Sequence, residues 1–367
     1  MTKMKKLLRQ LGPGLLYAGA AIGVSHLVQS TKAGAMFGFK LIPLIIIIHI
    51  LKYPFYEYGP RYTAATGENI LHGYRKLGKW AVWVYVLMTI STMLIIQMVV
   101  TIVTASIAVE VFGFDLPATA VGVGILVVCT TLLMIGRYSF LDNFMKVVII
   151  LLTITTLTAV ISCLFKNPGH YKSFENILTL DNPVHFTFIV AFLGWMPAPM
   201  DISVWHSIWS DDKNKATGKV SSVKSALLDF RIGYIGTAIL AIFFLCLGAF
   251  VMYGSGEEFS PKGTVFAGQL ITLYKTALGS WATPLIAGAA LITMFSTSLT
   301  CLDAYPRSLR VCQNILFPSK KENNERHKTY IFCLLATAIG TTVIFYTLMG
   351  NMGTMVTIAT TVAFVSA

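Results

Sequence analysis

The sequence predicts an all-α membrane protein built as two five-helix units of opposite topology, and three observations carry that prediction. First, 55% of the 367 residues are hydrophobic and 12% are charged, with a mean hydropathy of +0.71. A soluble chain carries about 25% charged residues, so too little polar surface remains here to face water. Second, the apolar stretches come in lengths near the roughly 20 residues that a helix needs to cross a bilayer. Third, the first and sixth stretches are interrupted near mid-depth by glycines and prolines, which a simple anchor does not need.

Ten spans follow from the apolar windows, near 11–37, 41–58, 80–109, 117–135, 145–165, 186–208, 231–253, 280–300, 329–349 and 352–367. The first contains Ala18-Gly19-Ala20-Ala21-Ile22-Gly23-Val24-Ser25-His26. The sixth contains Gly194-Trp195-Met196-Pro197-Ala198-Pro199-Met200-Asp201. Two prolines so close remove two backbone donors and cannot both occupy a regular helix interior. Between spans seven and eight, Val265 to Leu278 reads as an amphipathic helix on the outer surface. Breaks in spans one and six lie five spans apart, and five is odd, so the second unit runs opposite to the first. The units are expected at 1–165 and 166–367. Met355 to Ala367 is apolar to its last residue, which reads as a truncated second unit.

Basic residues set the expected orientation. Of the 28 Lys and Arg, 21 fall on the side of the N-terminus, five on the other side, and Lys32 and Lys52 within spans. The positive-inside rule then places the N-terminus in the cytoplasm of a plasma or inner membrane. The loops account for the net charge of +12, so it calls for no nucleic-acid partner. The basic Lys3 to Arg9 followed by an apolar run superficially resembles a secretory signal, but Gly12, Pro13 and Gly14 break its core. The six cysteines have no C-x-x-C spacing and read as free thiols. No phosphate-binding loop, H-E-x-x-H or G-x-S-x-G is present, so the sequence reads as neither an enzyme nor a nucleotide-driven pump.

Unwound backbone survives in lipid only where it lines a cavity or meets a ligand. Paired breaks in two inverted units are the plan of secondary transporters, with substrate held near the midplane. The plainer alternative is a pair of kinked helices whose small residues serve close packing.

The residues also resemble a known family. Leu11-Gly12-Pro13-Gly14-Leu15, with Ala33-Gly34-Ala35-Met36-Phe37-Gly38 closing the first span, is similar to the first helix of Nramp-type divalent metal transporters. Glu110-Val111-Phe112-Gly113 resembles the end of that family's third helix, and Gly194 with His206-Ser207 its sixth. The resemblance implies a LeuT-like fold and alternating access driven by a cation gradient. It also implies symport of a divalent cation (Mn, Fe or Mg), with the proton as coupling ion, no bound cofactor, and a monomer whose partners are the bilayer and its solute.

The departures from the family pattern lie at its ligands. Its first-helix Asp-Pro-Gly-Asn falls on Gly23, Val24, Ser25 and His26, and its sixth-helix Met-Pro-His on Ala198, Pro199 and Met200. Ile107 replaces the acid three residues before Glu110, and no Gln follows Gln313. Backbone ligands would map to Ala20 and Trp195. Asp201 is the acid expected deepest in any span, with Glu57, Glu110, Asp142 and Asp303 near helix ends. An ionisable group at mid-membrane costs roughly 3 kcal/mol and marks function by default.

Ala20, Gly23, Ser25, His26, Trp195, Ala198, Met200 and Asp201 are therefore the candidate substrate-binding residues. His26 and Asp201 are expected to face each other as a relocated metal or proton-coupling site, the imidazole titrating near neutrality. The alternative is that Asp201 forms a structural ion pair with Lys32 or Lys52. A divalent metal carried with much of its water, an organic solute held by the aromatics near the breaks, and a non-transporting sensor all remain open readings.

Overall fold

The computed structural model describes residues 12–135, 139–166, 179, 181–318, 322–347 and 352–365. Lys3, Lys5, Lys6, Arg9, Arg137, Lys172, Lys320 and Lys321, all counted for orientation, lie outside the described residues, as does Ala367. Among the described residues every regular element is helical.

The first span comprises α1 (Pro13–Ala21), a π-helical turn (Ser25–Ser30) and α2 (Thr31–Phe37). Then come α3 (Ile42–Thr66), the short α4 (Ile70–Leu77), α5 (Lys79–Phe112), α6 (Ala118–Ile135) and α7 (Ser139–Lys166). The sixth span is again split, into α8 (Pro183–Trp195) and α9 (Asp201–Thr217). After it run α10 (Val223–Val251), α11 (Gly263–Leu278), α12 (Thr283–Leu316), α13 (Glu322–Thr347) and α14 (Met352–Val365). Among the described residues five helices are long and apolar enough to cross a bilayer by length and composition, and shorter apolar helices include Pro183–Trp195 and Met352–Val365.

The helices run further than the apolar windows suggest. The connections expected at 59–79, 210–231 and 302–328 are mostly helical, because α3, α9 and α12 continue past the apolar stretch with polar residues on their outer turns. Two acids expected near helix ends consequently sit within helices. Asp303 lies inside α12, 7% exposed, held by Arg307 at 2.8 Å and by the Tyr330 hydroxyl at 2.6 Å. Glu57 lies inside α3, between Arg61 and Arg231, each at 3.2 Å. The amphipathic segment between spans seven and eight is present as α11, with Phe266, Leu270, Leu273 and Tyr274 turned inward.

Glycines set how closely the broken spans approach their neighbours. A Cβ on Gly14 would overlap the Asp229 carbonyl of α10, and one on Gly233 would overlap the Gly14 carbonyl. At the other end, Gly34 meets the Leu245 carbonyl and Gly248 the Thr31 carbonyl in the same way. Thus α1 and α2 both lie backbone-to-backbone on α10. The sixth span repeats the device, with Gly59 of α3 against the Ser203 carbonyl of α9 and Gly194 of α8 against the Thr360 carbonyl of α14. Small residues that bring backbones together are the normal means of helix association in lipid, where apolar burial supplies no drive. The first span leans on the seventh as the sixth leans on the second, which is the relation that an inverted repeat requires.

Candidate functional site: two helix breaks that touch

At the first break, α1 ends at Ala21. The Ile22 amide turns back to the Ala18 carbonyl at 2.8 Å and the Gly23 amide to Ala21 at 2.9 Å, while the His26 and Leu27 amides both reach Gly23. Ser25 Oγ lies 2.8 Å from the Ala21 carbonyl, 2.7 Å from His26 Nδ1 and 3.4 Å from the Pro197 carbonyl of the other break. His26 Nε2 faces the Thr237 carbonyl at 3.0 Å. A carbonyl can only accept, so the proton sits on Nε2, and Nδ1 accepts from Ser25. The ring is fully buried, with both nitrogens engaged.

At the second break, α8 ends at Trp195, and Met196 to Met200 run irregularly through a cis Met196–Pro197 bond before α9 begins at Asp201. In lipid the freed carbonyls need donors, and two of them find side chains. Lys52 Nζ donates to Leu193 at 2.8 Å and the Tyr56 hydroxyl to Ala198 in a short bond, while Ser25 Oγ, whose proton goes to His26, lies 3.4 Å from the Pro197 carbonyl.

The sequence-predicted residues fall into two groups. Ala20, Gly23, Ser25, His26, Trp195 and Ala198 are all buried where the breaks meet. A Cβ on Gly23 would already touch Thr297 Cγ2 at 3.0 Å, so the position carrying the family's aspartate is closed against α12. Met200 and Asp201 instead line a cavity of about 310 Å³ between α4, α5 and α9, together with Tyr74, Trp80, Tyr85, Met88 and Thr92. The structure therefore does not bring His26 and Asp201 together as expected: the imidazole is spent on Ser25 and Thr237, and Asp201 faces the cavity.

The alternative pairing of Asp201 with a lysine is also overturned. Lys52 is committed to the Leu193 carbonyl, and the charged neighbour of Lys32 is Glu258. Among the described residues no cation lies within ion-pair distance of Asp201. It stands in the first turn of α9, at the positive end of the helix dipole. Tyr85 lines the same cavity, and Tyr56 and Tyr305 are fully buried on two other helices. Sequence reasoning missed these phenols, although the proline-flanked tyrosines of Tyr53-Pro54-Phe55-Tyr56 and Tyr305-Pro306 offered a signal. No group of three or more His, Cys, Asp or Glu side chains able to hold a metal occurs among the described residues.

Apolar helices in an inverted repeat, with the first and sixth spans broken at mid-length and in contact through their unwound backbone, define a multi-pass membrane transporter of the LeuT-like fold. The family model described as natural resistance-associated macrophage protein-like (Nramp) matches residues 14–366, and the chain belongs to that family. An uncharacterized protein of Pasteurella multocida (strain Pm70) is 38% identical over 364 residues, which is 97% of this chain and 82% of that protein. Two crystal structures of the manganese transporter of Eremococcus coleocola share the fold across the whole of this chain and 77% of theirs. One is a point mutant (TM-score 0.67, 13% identity); the other is a complex with an aromatic bis-isothiourea substituted compound (TM-score 0.66, 14% identity).

Proposed function

We propose that this protein is a cation-coupled secondary transporter whose substrate is itself a cation, a divalent metal ion that keeps much of its water, with Asp201 as its charged ligand. The observation that carries the reading is the placement of Asp201. It lies directly after a helix break, partly exposed, on a cavity that Tyr74 and Tyr85 also line, and without a cationic partner among the described residues. The structural relatives are manganese transporters, and a metal substrate for this chain is consistent with its family. A dehydrated transition metal needs several protein ligands. A hydrated ion such as magnesium, which sheds water reluctantly, can be held by one or two carboxylates with water and hydroxyls making up the shell.

A specific feature favours a second reading. The cavity is far larger than a bare ion and carries Tyr74, Trp80 and Tyr85 on its walls, a lining that also suits an organic ammonium held by aromatic faces. The decisive experiment is uptake into proteoliposomes with the N-terminus assigned to the cytoplasmic face by protease access. Saturable influx of manganese or magnesium that falls at least tenfold in Asp201→Asn supports the metal reading. Undiminished influx in that variant sinks Asp201 as the charged ligand. Metal-free uptake of a tetraalkylammonium ion, abolished by the same substitution, would transfer the role to an organic cation.

A further inference from the structure

The cavity that holds Asp201 opens through an apolar mouth. Its α5 wall includes a ridge at four-residue spacing, Trp80, Val84, Met88 and Thr92, which a helix stacks on one face. Exposure falls steadily along that ridge, from 66% at Trp80 and 47% at Val84, through a half-buried Met88, to 4% at Thr92. From Trp80 to Thr92 the helix rises about 18 Å, so the groove starts at the end of α5 and runs deep into the span. Leu77, in the last turn of α4, adds a 70% exposed side chain to the same mouth. At the inner end the lining turns polar, with Tyr85, Thr92, Asp201 and Ser203.

The mouth faces lipid. Trp80, Trp83, Val84, Leu87 and Ile90 are all exposed on α5, and in a span this apolar the exposed face is the one that meets acyl chains. Val84 belongs both to that face and to the cavity wall, so the two surfaces are continuous. Arg75, Lys76 and Lys79, all exposed, flank the corner where Trp80 sits. Basic and tryptophan side chains together mark the headgroup level of a bilayer. An ion wrapped in water gains nothing from such a mouth. A molecule with a cationic head and an apolar tail fits it at both ends. Its charge reaches Asp201, which no cation pairs among the described residues, past the aromatic faces of Trp80 and Tyr85. Its tail stays among Leu77, Trp80, Val84 and Met88, as apolar as the acyl chains it leaves, so only the head has to move.

We propose that the Asp201 cavity is a lateral port, opening between α4, α5 and α9, that admits amphiphilic cations (protonated amines carrying an apolar tail) from the bilayer. The inference rests on Asp201 as the charged ligand, the reading proposed above, and adds to it a ligand class and a route of entry. A metal ion and an amphiphilic amine then compete for one carboxylate.

Photolabelling of the full chain in proteoliposomes tests this. One probe is a long-chain primary amine with a diazirine beside its head, and the other is the sulfate of the same tail. Adducts are mapped by mass spectrometry and normalised to those on the lipid-facing side of α13, at Phe332, Ile339 and Val343. Met88, Thr92 and residues 200–204 are expected to take roughly fivefold more of the amine than of the sulfate, because charge decides which amphiphile a carboxylate holds. Asp201→Asn should bring that ratio to about one. Val84→Trp narrows the mouth and spares the acid, and should cut the amine adducts at 200–204 severalfold even if Asp201→Asn fails to fold. Equal labelling by the two probes, no adducts at 200–204, or a preference that survives both substitutions would overturn the port. Manganese or magnesium influx that needs Asp201 but ignores a saturating, sub-lytic amine would also remove the port, while leaving the metal reading intact. Asp201-dependent amine labelling in a chain that moves neither metal would support the port and remove the metal reading.

Discussion

The two breaks handle freed backbone in opposite ways. At the sixth span, Leu193 and Ala198 each receive a side-chain donor from another helix, Lys52 and Tyr56 respectively. At the first span, no backbone amide among the described residues reaches the carbonyls of Gly19, Ala20 and Ile22, and Thr297 stands at 3.4 Å from one of them. The sixth break is thus a closed corner, fixed by hydrogen bonds, whose outward product is a single presented acid. The first is left receptive on the side that faces α12. A carrier needs both properties: a rigid mount for the group that binds substrate, and an unsatisfied element whose energy changes when an ion arrives.

Packing at the breaks allows the largest test of this contrast. A methyl on Gly194 would overlap the Thr360 carbonyl of α14, backbone against backbone, whereas one on Gly19 would meet only Ile149 Cδ1 at 3.4 Å, an ordinary contact. Gly194→Ala is therefore expected to cost about 3 kcal/mol or to prevent folding, and Gly19→Ala to leave the melting temperature nearly unchanged. Equal effects of the two would mean that the sixth break is no more rigidly seated than the first. Size-exclusion profiles and melting curves in one detergent give the comparison.

Much of this was readable from sequence. The all-helical class, both breaks and the amphipathic helix α11 follow from hydropathy and from glycine and proline placement, because lipid imposes a length and forbids unsatisfied backbone. Helix ends were less legible, since α9 and α12 extend into polar turns where hydropathy says nothing. The site was legible in part: Asp201 stands out as an acid within a span, but its partner does not. Whether His26 faces Asp201 depends on the π-turn at Ser25–Ser30, which rotates the ring toward Thr237. Nothing in residue spacing announces that turn.

A middle-sized effect concerns the one side chain that joins the two breaks. Ser25 Oγ touches Ala21, His26 and Pro197, and Ser25→Ala leaves His26 Nδ1 without its donor. Leaving a buried acceptor unpaired costs about 1–3 kcal/mol, and the loss should appear as a lower melting temperature. An unchanged melting temperature would show that Ser25 does not tie the two breaks together, and the contrast between them would have to be redrawn.

The smallest effect is expected where charge lies outside both breaks. Glu68, just before α4, and Lys76, in its last turn, are largely exposed and pair at 2.7 Å. The hydrogen bond from Lys76 holds the Glu68 carboxyl below the usual carboxylate value. A depressed folded-state pKa contributes stability that is present above the unfolded value of about 4.3 and fades as pH falls through the folded one. Glu68→Gln should therefore change nothing measurable at acid pH and very little at neutral pH, where salt screens an exposed pair. Uptake should be unaltered across that range. A neutral-pH loss as large as that of Ser25→Ala, disappearing in high salt, would mean that α4 is held onto the bundle by this pair. The cavity wall formed by Tyr74 and Leu77 would then depend on surface charge, and the closed character assigned to the sixth break would have to include α4 as part of its mount.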